Sequence, residues 1–575
     1  MPEKTEAGPL QTHVDALFAE AEAGGPGAAA AARRAALLTE RIAPDTARAA
    51  LAIAARLEPL AAEPRLALAR MHAEAGDLAA ARAEAAAIMS QTVDKAIAAR
   101  ASFIVGEVAR AQGELGEART AFAATLKIED ALLAADRSDA DAARWYARAR
   151  GRLAELDAYE GNLERARTGA EGALAMLRAC AAQLGEPPEM AADIADAEMR
   201  LGALELDTNE CASARRRLQE AIGRYEALIL LEPNEPHWRG VLADAWALAA
   251  EADYVRNAPN DARIAMDKAL QVRVKLAQAN RRETPALAGM WRTRAALLAA
   301  LNDAYGAAES LQQARHLAEH MFAATNAPDA TGRFLTHTLL DQADHALRMG
   351  DLDMARNAAE KARSIAEGFA REAETAHAWL GDLAGCWNRV GAIARAKSAP
   401  TSALDAYARS LELRRQAFEA KREDAFGKRA LAAALLVYGD AAFAAKQART
   451  AANAFNESVT LRLELAERAP GAAAPARDLA VALERAGLAA QAEGDTQAAR
   501  SAWEHELELV EHIFADPQSA EGQRFRAIIE AHLSSLGGVD AGVLRAAALA
   551  RLDRLAHTGQ LTDRDAALRR KLWGT

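Results

Sequence analysis

The string with the clearest catalytic potential is HxxEH at residues 316–320, where His316 and His320 stand one helical turn apart with Glu319 between them. Residues of those types at that spacing would suit a metallohydrolase centre at His316, Glu319 and His320. Such a centre needs a third ligand, and none is placed to serve; histidines at i and i+4 on a solvent-facing helix also arise by chance. His505 and His512 stand among Glu504, Glu506, Glu508 and Glu511, a pattern that reads as an acidic exposed helix face. Cys180, Cys211 and Cys386 form no CxxC pair and fall in or beside helical runs, which argues against a disulfide framework or a zinc knuckle and fits a reducing cytoplasm. No glycine-rich phosphate loop is present. These readings lead to a non-enzyme, with no metal and no cofactor.

Composition narrows the class. A chain of 575 residues exceeds one ordinary core, so it must hold several domains or a repeat array. Hydrophobic residues reach 51% while aromatics supply only 5%, a balance that suits helices packed through small side chains. The net charge of −11 gives no basic field, so nucleic acid is not an expected partner. No run of about 20 apolar residues occurs, and no signal-peptide pattern opens the chain, so neither a membrane span nor secretion is expected.

The elements that must carry any site are set by a repeat. Alanines recur at Ala118, Ala166, Ala214, Ala262, Ala307, Ala355, Ala403, Ala451 and Ala499, at steps of 48 residues with one of 45. Twelve residues before each stands a small residue: Gly106, Ala154, Gly202, Ala250, Ala295, Ala343, Gly391, Gly439 and Gly487. Five before each alanine come Gly113, Gly161, Asn209, Asn257, Asn302, Gly350, Ser398, Lys446 and Gly494, mostly types that tolerate positive φ and so mark a turn. Four after the alanine the residue is usually bulky, as at Phe122, Leu218, Met266, Leu311, Tyr407, Phe455 and Trp503, with Ala170 and Ala359 as departures. Each unit therefore reads as helix, tight turn, helix, with small residues admitting close approach and the bulky residue filling the groove.

Steps of seven, five and four between small, turn, alanine and aromatic positions resemble the tetratricopeptide repeat. Gly106, Gly113, Ala118 and Phe122 match all four positions, as do Gly487, Gly494, Ala499 and Trp503. The family's usual period of about 34 residues is kept only between Ala47 and Ala81, so the chain is read as a long-helix variant with about 20 residues per helix. The resemblance implies an all-α fold, a right-handed α-solenoid of stacked antiparallel helix pairs. The expected division is N-terminal cap helices over 1–43, standard-length units over 44–92, nine long units over 93–515, and a degenerate capping unit and tail over 516–575. Bends are expected at residues 24–27 and at Gly537 and Gly538, and the turn and alanine columns are expected to continue through Gly542 and Ala547.

In the resembled family the first helix of each pair lines the binding groove. Two residues before the small column stand Arg152, Arg200, Arg389 and Arg485, with Asn388 beside the third. Arg152 has Glu155 three residues on, whereas the other three have no acid at that spacing. The arginines and Asn388 could offer charge-assisted bonds to an acidic peptide or chain terminus, or they could form a solvated face or pair with the adjacent repeat. The leading expectation is a cytoplasmic scaffold or adaptor that holds a segment of another protein or peptide. A ligand-responsive regulatory sensor and the metallohydrolase are the alternatives.

Overall fold

The computed structural model describes residues 9–40, 43–59, 61–92, 94–208, 210–233, 236–324, 328–372, 376–420, 425–468, 473–514 and 519–574. Asn209 and Pro517, which the sequence pattern singles out, lie outside them. The described residues form 26 α-helices and no strand. They divide into two units, residues 1–276 and 277–575.

In the first unit, α1 (Pro9–Ala23) and α2 (Ala28–Thr39) precede the short helices α3 (Pro44–Leu57), α4 (Ala62–Glu74) and α5 (Leu78–Gln91). Longer ones follow as α6 (Lys95–Ala111), α7 (Leu115–Ala135), α8 (Ala140–Tyr159) and α9 (Leu163–Leu184), then α10 (Pro188–Asp207), α11 (Cys211–Leu231), α12 (Pro236–Val255) and α13 (Pro259–Ala279). The second unit contains α14 (Thr284–Ala300), α15 (Ala304–Ala324), α16 (Pro328–Met349), α17 (Leu352–Arg371), α18 (Ala376–Ala396) and α19 (Pro400–Ala420). It continues with α20 (Ala425–Ala444), α21 (Ala448–Arg468), α22 (Ala473–Glu493), α23 (Thr496–Ile513), α24 (Ala520–Ser535), α25 (Ala541–His557) and α26 (Asp563–Gly574).

Local chemistry sets the helix ends. Proline occupies the first turn of α3, α10 and α14, where its missing N–H is no loss. Asp77, Asp139, Asp351 and Asp495 each accept a hydrogen bond from a backbone N–H of the helix they precede. Every described member of the turn column has positive φ, from Gly113 at 77° to the non-glycine Ser398 at 56° and Lys446 at 60°. The backbone N–H that follows each turn residue reaches back into the preceding helix, as from Glu114 to Ala109 and from Gln447 to Ala442, which closes the helix end.

Packing makes the pairs a solenoid. From α1 to α12 in the first unit and from α14 to α26 in the second each helix packs on the next, and first helices also pack on one another, α4 with α6, α6 with α8, α8 with α10, α14 with α16 and α16 with α18. The first helices thereby form one face of each unit. The alanine column lies at the crossing with the partner helix, fully buried at Ala118, Ala166, Ala214, Ala262, Ala307, Ala355, Ala451 and Ala499. At the C-terminal end the turn falls at Gly537 and Gly538, as expected, but Gly542 lies inside α25 and the fully buried alanine is Ala548. The turn comes before Gly542 because α24, at 16 residues, is shorter than the long first helices from α6 to α22.

Candidate functional site

Of the arginines singled out in the sequence, each is ion-paired to an acid 45 residues earlier, on the preceding first helix. Arg152 Nε lies 2.8 Å from Glu107 Oε1, and Arg200 Nε lies 2.7 Å from Glu155 Oε1. Arg389 Nη2 meets Asp344 Oδ2 at 2.8 Å, and Arg485 Nε meets Asp440 Oδ1 at 3.1 Å. Arg152 also holds Glu155 within its own helix, at 2.8 Å. Burial alone would raise the Glu155 carboxyl, but Arg152 and Arg200 together hold it below the ordinary carboxylate range. The guanidinium sides remain partly exposed, from 20% at Arg200 to 35% at Arg485. Asn388 is half-buried and has no hydrogen-bond partner among the described residues. The acids were legible one position after the small column, but only across repeats and not along one helix.

A second register crosses the wall, between the residue six before the small column on a first helix and the residue eleven after the alanine on its partner. These positions stand 29 residues apart. Arg273 Nη2 reaches both carboxylate oxygens of Asp244 at 2.7 Å, and the Tyr225 hydroxyl donates to Asp196. Glu129 occupies the same second-helix position opposite Arg100; it is fully buried, both its oxygens lack hydrogen-bond partners, and burial pushes its carboxyl up to about 7 against the pull of Arg100. Side chains rooted on second helices thus reach toward the first-helix face.

That face opens into a recess of about 550 Å³ in the first unit, formed by α4, α6 and α8. Leu66, Ile97, Phe103 and Trp145 supply apolar surface, and Arg100 and Arg148 stand beside them. Phe103 meets Trp145 edge-on at 5.4 Å between centroids, while the Arg100 and Arg148 guanidinium carbons lie 5.7 and 5.0 Å from the Trp145 ring. Arg148 is anchored by the buried Asp193 at 2.8 Å and Arg100 by Asp141 at 3.5 Å, so both are fixed beside the ring. The arrangement suits a large apolar or aromatic side chain flanked by an acceptor. Nothing in the column reading pointed to it, because Trp145 and Arg148 lie nine and six residues before a small position whose own unit has no bulky residue.

The catalytic lookalikes resolve differently. His316 and His320 are exposed, and Glu319 is bound by Arg315 at 2.9 Å and by Lys361 at 2.5 Å, so cations occupy its carboxylate. Among the described residues no group of three or more His, Cys, Asp or Glu is placed to hold a metal ion. His505 and His512 are exposed with Glu504, Glu508 and Glu511, but Glu506 departs from that acidic face. It is 2% exposed, seven residues past Ala499 on the side turned to the partner helix, and burial pushes its carboxyl up to about 9. The three cysteines are buried and free, and burial pushes the Cys386 thiol up to about 12. No described helix is long and apolar enough to cross a membrane.

The stacked antiparallel helix pairs define a tetratricopeptide-like α-solenoid. No family profile and no curated protein matches the chain. Among solved structures it is similar to yeast Tom70, at 14% identity over 90% of this chain and 98% of that one, with a TM-score of 0.44. The apo form of RapI is 14% identical over 53% of this chain and 99% of that one, TM-score 0.37. A STAND signal-transduction ATPase with a tetratricopeptide repeat sensor, from Pyrococcus horikoshii, is 11% identical over 67% of this chain and 55% of that one, TM-score 0.39.

Proposed function

We propose that the protein is an interaction scaffold that holds a segment of another protein on its first-helix face. The observation that carries this reading is the recess on α4, α6 and α8, where a half-buried aromatic and aliphatic floor stands beside guanidiniums already held in place by Asp193 and Asp141. A rigid stack presents such groups without ordering them at the moment of binding, so more of the contact energy appears as affinity. In this reading the unit is a long-helix tetratricopeptide-like repeat of 48 residues, and helices of about 20 residues give each first helix several turns of presenting surface. The ion-paired arginines at 152, 200, 389 and 485 then act as fixed, partly exposed charges along the same face.

A photoreactive phenylalanine analogue at position 103 tests it. Such a residue is expected to capture a defined partner that is lost when Trp145 is changed to Ala. Capture of the same proteins from the exposed second-helix position 124 as from position 103 would rule the recess out.

A further inference from the structure

Among the bulky residues four after each alanine, one in the second unit carries a polar atom that the fold leaves unmet. The Tyr407 ring of α19 lies against α18 at Gly391, where an added Cβ would stand 2.8 Å from Cζ, the carbon that bears the hydroxyl. Tyr407 is 3% exposed, and its hydroxyl has no hydrogen-bond partner among the described residues. A buried phenol ordinarily finds one. The other rings that lie on glycines show the contrast: Trp503 Nε1 donates to the Glu484 carbonyl at 3.4 Å, while Phe122 and Phe455 carry no polar atom.

Tyr407 borders a cavity of about 410 Å³ formed by α18 to α22, a size within the range of small-molecule sites. Val437, Phe443 and Leu488 give it apolar walls, and Arg395, Asp440 and Arg485 stand at the same cavity. Arg485 holds two acids, with Nε 3.1 Å from Asp440 Oδ1 and Nη1 3.2 Å from Glu484 Oε2. Arg395 and Arg485 thus balance Asp440 and Glu484, so the cavity selects no net charge in a ligand. Burial still pushes the Asp440 carboxyl up against the pull of both guanidiniums, which leaves this acid short of donors. Asp440 and Arg395 are also the charges that act on the Tyr407 hydroxyl, so the unmet donor and the under-supplied acceptor share one space. A single group that accepts from the first and donates to the second is itself a hydroxyl.

We propose that this cavity binds an uncharged, mainly apolar small molecule bearing a hydroxyl group, which accepts from Tyr407 and donates to Asp440. A carboxylate in its place could not donate to Asp440 and would add a charge that the four fixed charges do not offset. The proposal goes beyond the scaffold reading and does not rest on it, since the recess of α4, α6 and α8 belongs to the other unit.

The test is equilibrium dialysis of the full chain at neutral pH against two probes with the same rings, 2-naphthol and 2-naphthoate. Wild-type protein is expected to bind 2-naphthol saturably, and 2-naphthoate about tenfold more weakly or not at all. Tyr407→Phe keeps the ring on Gly391, as Phe455 on Gly439 does, and is expected to weaken 2-naphthol binding about tenfold. It should melt at or above the wild-type temperature, because the free protein loses no hydrogen bond. Ala444→Trp, at an exposed position bordering the cavity, is expected to abolish binding by filling it. Absence of saturable 2-naphthol binding, equal binding of 2-naphthoate, or unchanged binding in either variant would overturn the proposal. Neither a partner protein nor the recess enters this titration, so its result is independent of the cross-linking outcome at position 103.

Discussion

Two stretches of the chain solve the same helix-crossing problem with different atoms. Between residues 154 and 359 the small column faces aliphatic partners: Ala154 with Ala170, Gly202 with Leu218, Ala250 with Met266, Ala295 with Leu311 and Ala343 with Ala359. Between 391 and 503 it is glycine throughout, and each glycine lies under a ring: Gly391 under Tyr407, Gly439 under Phe455 and Gly487 under Trp503. Gly106 under Phe122 follows the ring rule near the start of the long helices. A Cβ added at Gly391 would stand 2.6 Å from the Tyr407 ring, whereas one at Gly202 would meet Leu218 Cγ at 2.9 Å, the branch point of a side chain with freer rotamers. Column size is therefore set in pairs, and a bulky ring demands loss of the methyl opposite it.

The same stretches differ three helical residues further on. Where rings lie on glycine, the next inward position is polar: Thr125 and Ser410 donate to the carbonyls of Ala99 and Ala384 at 2.9 and 2.8 Å, and Ser458 donates to Ala432 at 2.8 Å. In the aliphatic stretch that position is Ala173, Ala221, Ala269, Ala314 and Ala362. Glu506 takes it in the unit of Trp503, with Oε2 buried and unpaired.

The pairing can be broken most severely at the glycines. Gly439→Ala is expected to lower stability by about 1–3 kcal/mol, with part of the loss recovered by adding Phe455→Leu. Conversely, Met266→Phe should cost a similar amount and be relieved by Ala250→Gly. Chemical denaturation of the four variants and two double mutants measures this, and full additivity would refute size pairing.

The next effect is pH-dependent. Glu506 in the fold holds its proton to about 9, while the unfolded chain releases it near the ordinary carboxylate value, so folded stability falls as pH rises between the two. His532, stacked on Trp503 at 4.9 Å, is pushed down to about 4 by burial and costs stability only as pH falls below its ordinary 6.5. Glu129, pushed up to about 7, titrates over part of the same range, so it is the difference between the wild-type and Glu506→Gln melting curves from pH 6.5 to 9 that isolates Glu506, and the variant is expected to gain on wild type by on the order of 1–3 kcal/mol across that range. Parallel curves would contradict it.

Ser458→Ala should cost about 1 kcal/mol by removing the buried hydroxyl that bonds the Ala432 carbonyl across the helix pair and accepts from Arg462 Nε. Ala221→Ser, in the aliphatic stretch, is expected to gain nothing; a gain equal to the Ser458 loss would show that the hydroxyl does not depend on a glycine-spaced crossing. The smallest expected change is favourable. Lys446→Gly relieves a side chain held at φ 60° and should add roughly 0.5–1 kcal/mol, read as a higher denaturation midpoint.

Helix pairing, the turn positions and the buried alanines were legible in sequence because each depends on spacing within one helix pair, where periods of seven, five and four report which atoms must meet. The ring-over-glycine pairing was equally present in the two columns, sixteen residues apart, and needed only to be read jointly. The candidate sites were less accessible. Arg200, Arg389 and Arg485 looked unpartnered along their own helices because their acids lie on the preceding first helix, and Glu506 looked exposed because its neighbours in sequence are.

The sequence by itself determined that the chain is an all-helical array, where its turns fall and which small residues sit at the crossings, since these follow from local φ preference and from the volume one helix offers the next. Only the tertiary structure decided which charges are satisfied. Whether Arg273 finds Asp244, whether Arg485 finds Asp440, and whether Trp145 stands between two arginines depend on contacts across helices, and a carboxylate a few ångströms nearer or farther reverses what a guanidinium is free to bind.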